Sequence, residues 1–160
     1  AKRNNTSTGF FELMGIELES GRLFSNEDDE NSIPVAIVNA EFVERFIPGG
    51  DAVGRRIHVR GDPTWKTIVG VVESVSSAEL DQPEPPAVYY SLQQGFSQTV
   101  NVYVKSATDL GELGKVVTDV IHGIDPLQTV QDVKPLNDIK ADWLAPSTLR
   151  ATLITLFGLL

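Results

Sequence analysis

The chain has no cysteine, few histidines and no excess of basic residues. The absence of cysteine excludes a disulfide scaffold, a thiolate zinc site and a cysteine nucleophile. The two histidines, His58 and His122, are a small stock of bases for chemistry near neutral pH. The net charge of −9, from 22 acidic and 13 basic residues, repels phosphate backbones. We therefore expect no nucleic acid partner.

Long apolar runs are also scarce, and the longest lies at the end of the chain. The ten residues 151–160 read ATLITLFGLL and carry no charge. Because a helix that spans a bilayer needs about 20 apolar residues, we interpret this run as the start of a transmembrane helix. Overall, 41% hydrophobic and 22% charged residues in a chain of 160 are typical of one or two small globular domains.

Short strands and helices alternate in the prediction for the first half of the chain. Pro34–Asn39 is an apolar segment typical of a strand buried on both faces, and Asn39 is suited to cap the helix that follows. The apolar stripe of that helix consists of Phe42, Val43, Phe46 and Ile47. The other predicted elements are a short helix at Gly9–Gly15, extended chain at Ile16–Phe24, and a hairpin of Gly54–Arg60 with Trp65–Val72. No element is assigned to residues 1–8.

The second half begins with a predicted linker, Ser74–Pro86, which is rich in proline, serine and acidic residues. The elements predicted after it are strands at Ala87–Leu92 and Val100–Val104, a helix starting at Asp109 with Gly123 as its C-cap, and a returning strand at Thr129–Val133. A long exit helix is predicted from Pro135 onward. Together the two halves indicate an α+β fold.

Two loops have patterns that invite a functional interpretation. Gly49–Arg56 has the glycine spacing of a phosphate-binding loop, but it lacks the required lysine and hydroxyl and leads into a strand, so we interpret it as a tight turn. Glu27–Glu30 offers oxygen ligands for Ca²⁺, but it lacks the alternating pattern and central glycine of an EF-hand. A solvated loop is the better interpretation of this segment.

The remaining candidates also favour structural roles. His58 lies on a strand face between two arginines, and His122 lies at a helix C-terminus, where a protonated imidazole suits the helix dipole. Asp81 and Glu84 form a carboxylate pair in the linker, where a solubilising role is expected. Trp143 is either a core residue or an aromatic at a membrane interface. We predict no catalytic, cofactor-binding or metal-ligating residues.

An ordered series of motifs resembles the extracytoplasmic core domain of MacB-like ABC transporter permeases, the FtsX-related family. The stretches are TGFFELMGIELESGRLFS, PVAIVNAEFVERFIPGGDAVGRRI, TIVGVVESV and EPPAVYYSL. Their motifs are Met14-Gly15, Gly21-Arg22, Val38-Asn39, Pro48-Gly49 with Gly54-Arg55, and Ile68-Val69-Gly70-Val71-Val72. The resemblance covers roughly residues 8–160.

The resemblance implies two small subdomains and a stalk. Residues 1–78 resemble a mixed α/β lobe, the Sabre-like subdomain. Residues 79–134 resemble part of a porter-like β-α-β subdomain. Residues 135–160 resemble the stalk helix and the start of a transmembrane helix.

The resemblance also implies a non-catalytic, periplasmic role in a permease of the bacterial inner membrane. The domain would transmit conformational change or engage substrate and partner proteins during export, or during efflux of a lipoprotein, peptide or drug. The implied partners are a cytoplasmic ABC ATPase subunit, a periplasmic adaptor or substrate, and a second permease in a homo- or heterodimer. No cofactor is implied.

Two other functions fit the residues. A ligand-sensing extracytoplasmic domain would need a pocket with convergent polar groups. A soluble enzyme would use the apolar end of the chain as a buried core helix.

Overall fold

The structure, a computed structural model, describes residues 1–59, 62–74, 85–95, 99–106, 110–131 and 133–134. The chain divides into two units, residues 1–102 and 103–160. Among the described residues, no helix combines the length and the apolar character needed to cross a membrane. The predicted linker residues 75–84, the capping residue Asp109 and the exit helix lie outside the described residues.

A mixed six-stranded sheet forms the first unit. Its strands are β1 (Lys2–Thr6), β2 (Leu18–Gly21), β3 (Val35–Asn39), β4 (Arg56–Ile57), β5 (Lys66–Val72) and β6 (Ala87–Ser91). The order is β1-β6-β3-β5-β2, and β4 pairs with β5 beside β2. β1 is parallel to β6 and β3 is parallel to β5, whereas the β3–β6, β2–β5 and β4–β5 pairs are antiparallel.

Two short helices cover opposite faces of this sheet, so β3 is buried on both sides, as its continuous apolar sequence predicts. On one face, Phe11 of α1 (Phe10–Met14) packs in a cluster with Ile37 and Tyr89. On the other face, Phe42 of α2 (Ala40–Phe46) packs with Val38 and other apolar side chains. Within the predicted stripe of α2, Phe46 is exposed while Phe42 is buried.

Asn39 joins three elements of the first unit. It ends β3, is fully buried, and its Oδ1 accepts a hydrogen bond of 3.0 Å from the backbone N–H of Phe42 at the start of α2. The same Oδ1 accepts a second bond of 2.8 Å from the N–H of Ala87, the first residue of β6. Its Nδ2 donates to the carbonyl of Pro85 at 3.3 Å. The predicted cap is confirmed, and it also anchors a distant strand.

The end of β2 approaches β5 so closely that glycine is needed on both strands. Gly21 pairs with Gly70, and a Cβ at Gly70 would lie in steric overlap with the carbonyl oxygen of Arg22. A Cβ at Gly21, whose φ is +77°, would overlap the carbonyl of Val69. Gly21 and Gly70, which belong to two of the sequence motifs, therefore permit the close backbone contact between β2 and β5.

Beyond this contact, Arg22 holds the acidic loop. Its Nη1 and Nη2 donate to the two carboxylate oxygens of Asp28, both at 2.7 Å. The N–H of Ser25 also donates to Asp28, whose side chain is only 4% exposed. The Asp28 carbonyl accepts from Ser91 Oγ at 3.1 Å, which ties the loop to the end of β6. One of the four acidic residues is therefore a structural anchor, and the interpretation of a wholly solvated loop is wrong at Asp28.

In the second unit, the predicted helix is present as α3 (Leu110–Ile124). Gly123 lies inside this helix, so its assignment as a C-cap is wrong. The segment Val100–Val104 alternates as a strand would, but it forms no strand. The described residues of Thr129–Val133 also form none. Alternation of apolar residues is therefore not sufficient to predict a strand.

Other elements agree with the prediction or were missed by it. The predicted helix at Gly9–Gly15 and the predicted strand at Ala87–Leu92 are present as α1 and β6. β1 was missed, since its sequence is polar and lacks apolar alternation. β6, which the resemblance assigns to the second subdomain, pairs with β3 and β1 of the first unit. The boundaries at residues 78 and 134 remain predictions.

We expect Asn39→Ala to lower the free energy of unfolding by roughly 2–4 kcal/mol, because two buried N–H groups lose their acceptor. Urea unfolding followed by circular dichroism measures this loss. Asn39→Ser should have an intermediate effect, since a hydroxyl can cap α2 but is too short to reach Ala87 as well. The exposed Asn31→Ala serves as the control. Equal stability of Asn39→Ala and the control would contradict the anchoring role.

We also expect Asp28 to make folding stability depend on pH. The hydrogen bonds from Arg22 lower the pKa of Asp28, although burial opposes them, and the Ser25 N–H lowers it further. A carboxyl whose pKa is lower in the folded state stabilises the fold above its unfolded pKa, and this contribution disappears as the pH falls through the folded pKa. Asp28→Asn should therefore cost about 1–2 kcal/mol near neutral pH and progressively less below about pH 4.

The matched control for this comparison is Glu30→Gln, which changes an exposed carboxylate of the same loop. Urea unfolding of the parent chain, Asp28→Asn and Glu30→Gln at each pH gives the difference in the free energy of unfolding between each variant and the parent. A loss in Asp28→Asn that stays constant from neutral to acidic pH would argue against a contribution from the ionised carboxylate.

Candidate functional site

The β4–β5 hairpin separates its side chains into two sets by strand alternation. Arg56 is paired with Thr67 and Ile57 with Lys66. Ile57 and Val59 pack against the apolar cluster beneath α2. Arg56 and His58 are therefore directed away from that cluster, and both are exposed.

Trp65 lies on the same side of the hairpin as Arg56 and His58. Its side chain is 51% exposed. The Arg56 guanidinium carbon lies 5.7 Å from the Trp65 ring centroid, and the His58 ring centroid lies 5.5 Å from it. These distances allow a cation–π contact and a tilted ring contact. We call Arg56, His58 and Trp65 the Trp65 patch.

The Lys66 side chain lies on the opposite side of the hairpin from Trp65 and is buried, with 9% of the residue exposed. Its Nζ lies 3.6 Å from the Asp62 carboxylate and 4.6 Å from the centroid of the Tyr90 ring. Burial alone would raise the pKa of Asp62, but the Thr64 N–H and the Lys66 ammonium outweigh it, so the pKa of Asp62 is lowered. Burial raises the pKa of Tyr90, and the negative charge of Asp62 adds to this rise.

An open depression of about 520 Å³ adjoins this buried group. It is lined by charged and polar side chains from three segments, among them Arg3, Asp62, Lys66, Tyr90 and Gln94. Because Lys66 already neutralises Asp62, the lining offers one further cationic group, that of Arg3.

The two histidines lie in different units. His58 belongs to the Trp65 patch, while His122 lies in the last turn of α3, where its Nε2 is 3.1 Å from the carbonyl of Gln128. Gly49–Arg56 is a turn with positive φ at Gly49 and Gly54, as predicted. Asp81, Glu84 and Trp143 lie outside the described residues.

No metal-binding group of three or more histidine, aspartate or glutamate side chains occurs in the part of the chain that the structure describes. Within Glu27–Glu30, the Asp28 carboxylate is already occupied by the Arg22 guanidinium. Asp28 is therefore not available as a Ca²⁺ ligand while this ion pair is formed.

Sequence reasoning missed the Trp65 patch and the Lys66–Tyr90 contact. The hairpin itself is predicted by two alternating segments, but neither its register nor the neighbour of β6 follows from the pattern. A usable signal was the concentration of Arg55, Arg56, His58 and Arg60 in a chain of net charge −9.

Comparison with known proteins gives a consistent result. Residues 3–120 match the family described as the MacB-like periplasmic core domain. The macrolide export ATP-binding/permease protein MacB 2 of Aeromonas hydrophila is 37% identical over 79 residues, which are 44% of this chain and 12% of that protein. The uncharacterized ABC transporter permease YknZ of Bacillus subtilis is 21% identical over 141 residues, which are 83% of this chain and 35% of that protein. The chain thus spans about a third or less of these relatives.

Two solved structures share the fold. The periplasmic region of MacB from Actinobacillus actinomycetemcomitans aligns with a TM-score of 0.54 at 14% identity, covering 74% of this chain and 54% of that one. The extracellular domain of YknZ, a noncanonic ABC-type transporter from Gram-positive bacteria, aligns with a TM-score of 0.55 at 16% identity, covering 79% and 65%. The mixed α/β fold expected from the resemblance is therefore confirmed. Since the family match includes most of the chain, this protein belongs to the family of MacB-like periplasmic core domains.

Proposed function

We propose that this chain is the extracytoplasmic, non-catalytic part of an ABC transporter permease. In this role it transmits conformational change across the membrane or engages substrate and partner proteins during export or efflux. The observation that carries the proposal is the family match over residues 3–120. The fold shared with an extracellular and a periplasmic region of such transporters supports it.

The internal bonding of the first unit suits a body that moves as one piece. Gln94, just after β6, accepts from the Val35 N–H at 2.9 Å and donates to Ser32 Oγ at 2.8 Å. It also donates to the Ile33 carbonyl at 3.0 Å. With the Ser91–Asp28 bond, these contacts fasten the acidic loop and the start of β3 to the end of β6. A unit whose loops are tied in this way transmits a displacement instead of absorbing it.

The finer architecture and the partners belong to the same proposal. Residues 1–78 and 79–134 would be the Sabre-like and porter-like subdomains, and 135–160 the stalk helix that enters the membrane. ATP hydrolysis would occur on a separate cytoplasmic subunit or domain. The permease would work as a homo- or heterodimer in the inner membrane, with a periplasmic adaptor or substrate as a further partner.

A ligand-sensing extracytoplasmic domain is the alternative, and the depression beside Lys66 and Tyr90 is the observation that favours it. Several polar groups converge there, although the depression is open to solvent. Saturable binding of a small ligand that raises the melting temperature of the chain would support sensing. Loss of that shift in Arg3→Ala would locate the ligand in the depression.

Thiol labelling in intact cells tests the extracytoplasmic location. The chain has no cysteine, so Glu30→Cys introduces one exposed thiol in the acidic loop, and the Glu30 side chain makes no hydrogen bond or ion pair with the residues that the structure describes. In a permease whose other cysteines are replaced, a membrane-impermeant maleimide should label this thiol without cell lysis, because the loop would face the periplasm.

Ala36→Cys provides the matched control, since Ala36 is fully buried in β3 and should become reactive only after unfolding. Labelling of Glu30→Cys that required lysis would place the domain on the cytoplasmic side and refute the proposal.

A further inference from the structure

The Trp65 patch combines exposed apolar surface with unneutralised positive charge. Trp65 is half exposed, and Arg56 and His58 lie against it at the distances given above. Neither side chain is paired with a carboxylate among the described residues, whereas the ion pairs of Arg22 and Lys66 are internal. Tryptophan and arginine are the residues most enriched where protein interfaces derive their binding energy.

Ile33 is a second exposed apolar residue, and the register of β3 against β5 places it near Trp65. Val35 pairs with Thr67 in the parallel β3–β5 ladder, and the Thr67 N–H donates to the Pro34 carbonyl at 2.8 Å. Ile33, just before Pro34, is 74% exposed. Ile33 therefore lies just before β3 and Trp65 just before β5, at the same end of these two parallel strands.

The charge of the whole chain decides between classes of partner. A net charge of −9 opposes an extended polyanion, such as nucleic acid or an anionic lipid surface, more than a short segment with few acidic residues, because the repulsion scales with the charge of the partner. Recognition of anionic lipids generally uses a cluster of about 4–8 Lys or Arg residues, more than the patch presents. A local cationic and aromatic site on an acidic protein is instead complementary to carboxylates that are accompanied by apolar side chains.

We infer that the Trp65 patch is a docking site for an acidic polypeptide segment of a partner protein, with its carboxylates on Arg56 and His58 and an apolar side chain on Trp65. This inference names a contact surface for the partner in the proposed function and rests on it. The guanidinium is held over the indole before the partner arrives, so less side-chain freedom is lost on binding.

The test uses the 160-residue chain and a fluorescein-labelled, amidated peptide of sequence Glu-Leu-Asp-Leu-Glu-Leu-Asp. Fluorescence anisotropy should show saturable binding that weakens with added salt. Arg56→Glu and Trp65→Ala should each weaken binding by about tenfold or more. Lys115→Glu, which makes the same charge change at an exposed position of α3, should alter binding by less than about twofold.

Other results would overturn the inference. One is equal binding of a peptide with lysine in place of each acidic residue, and another is unchanged binding by a folded Arg56→Glu variant. Arg56-dependent co-sedimentation with phosphatidylglycerol vesicles would assign the patch to lipid. Self-association that Arg56→Glu abolishes would assign it to a second copy of the chain. Because the assay is in solution, its failure leaves the thiol-labelling result for the proposed function unaffected.

Discussion

The carboxamide of Asn39 is the interaction on which the arrangement of the first unit depends. A single oxygen accepts from the start of α2 and from the start of β6, and the nitrogen of the same side chain binds the backbone before β6. α2 covers one apolar cluster, and β6 contributes to both clusters. The placement of a helix and a strand is thus coupled through one buried polar group. Since an unpaired N–H in this environment is costly, the group favours a single register of β6 against β3.

A second coupling acts at the opposite end of the same strands. The Arg22–Asp28 pair holds the acidic loop, and Ser91 and Gln94 bind that loop and the start of β3. The antiparallel β3–β6 pair is therefore fastened by side chains at both ends, by Asn39 at one and by Gln94 at the other. The edge strands β1 and β2 flank this central pair and are mostly exposed. We expect the central pair to be the most resistant part of the unit to local opening.

The residues that sequence reasoning could place are those whose role is local. Asn39 was predicted as a cap because the capped N–H lies three residues ahead, whereas its bond to Ala87 spans 48 residues and leaves no local pattern. β3 was predicted from its apolar run, but the polar β1 is a strand only because β6 pairs with it. Val100–Val104 is the opposite case, since it has the alternating pattern of a strand but is not one. The Trp65 patch was missed since it depends on hairpin register, which composition does not encode.

The position of the Trp65 patch connects a partner bound there to the central strands of the sheet. Arg56 lies on β4, His58 just after β4 and Trp65 just before β5, and β5 pairs with β3. A force applied to the hairpin would therefore be carried by the β5–β3 hydrogen bonds to the strand that Asn39 connects with α2 and β6. Sheet hydrogen bonds resist sliding cooperatively, because several must break together. A partner that engages the patch would therefore act through β5 on the central β3–β6 pair, as a domain that transmits displacement requires.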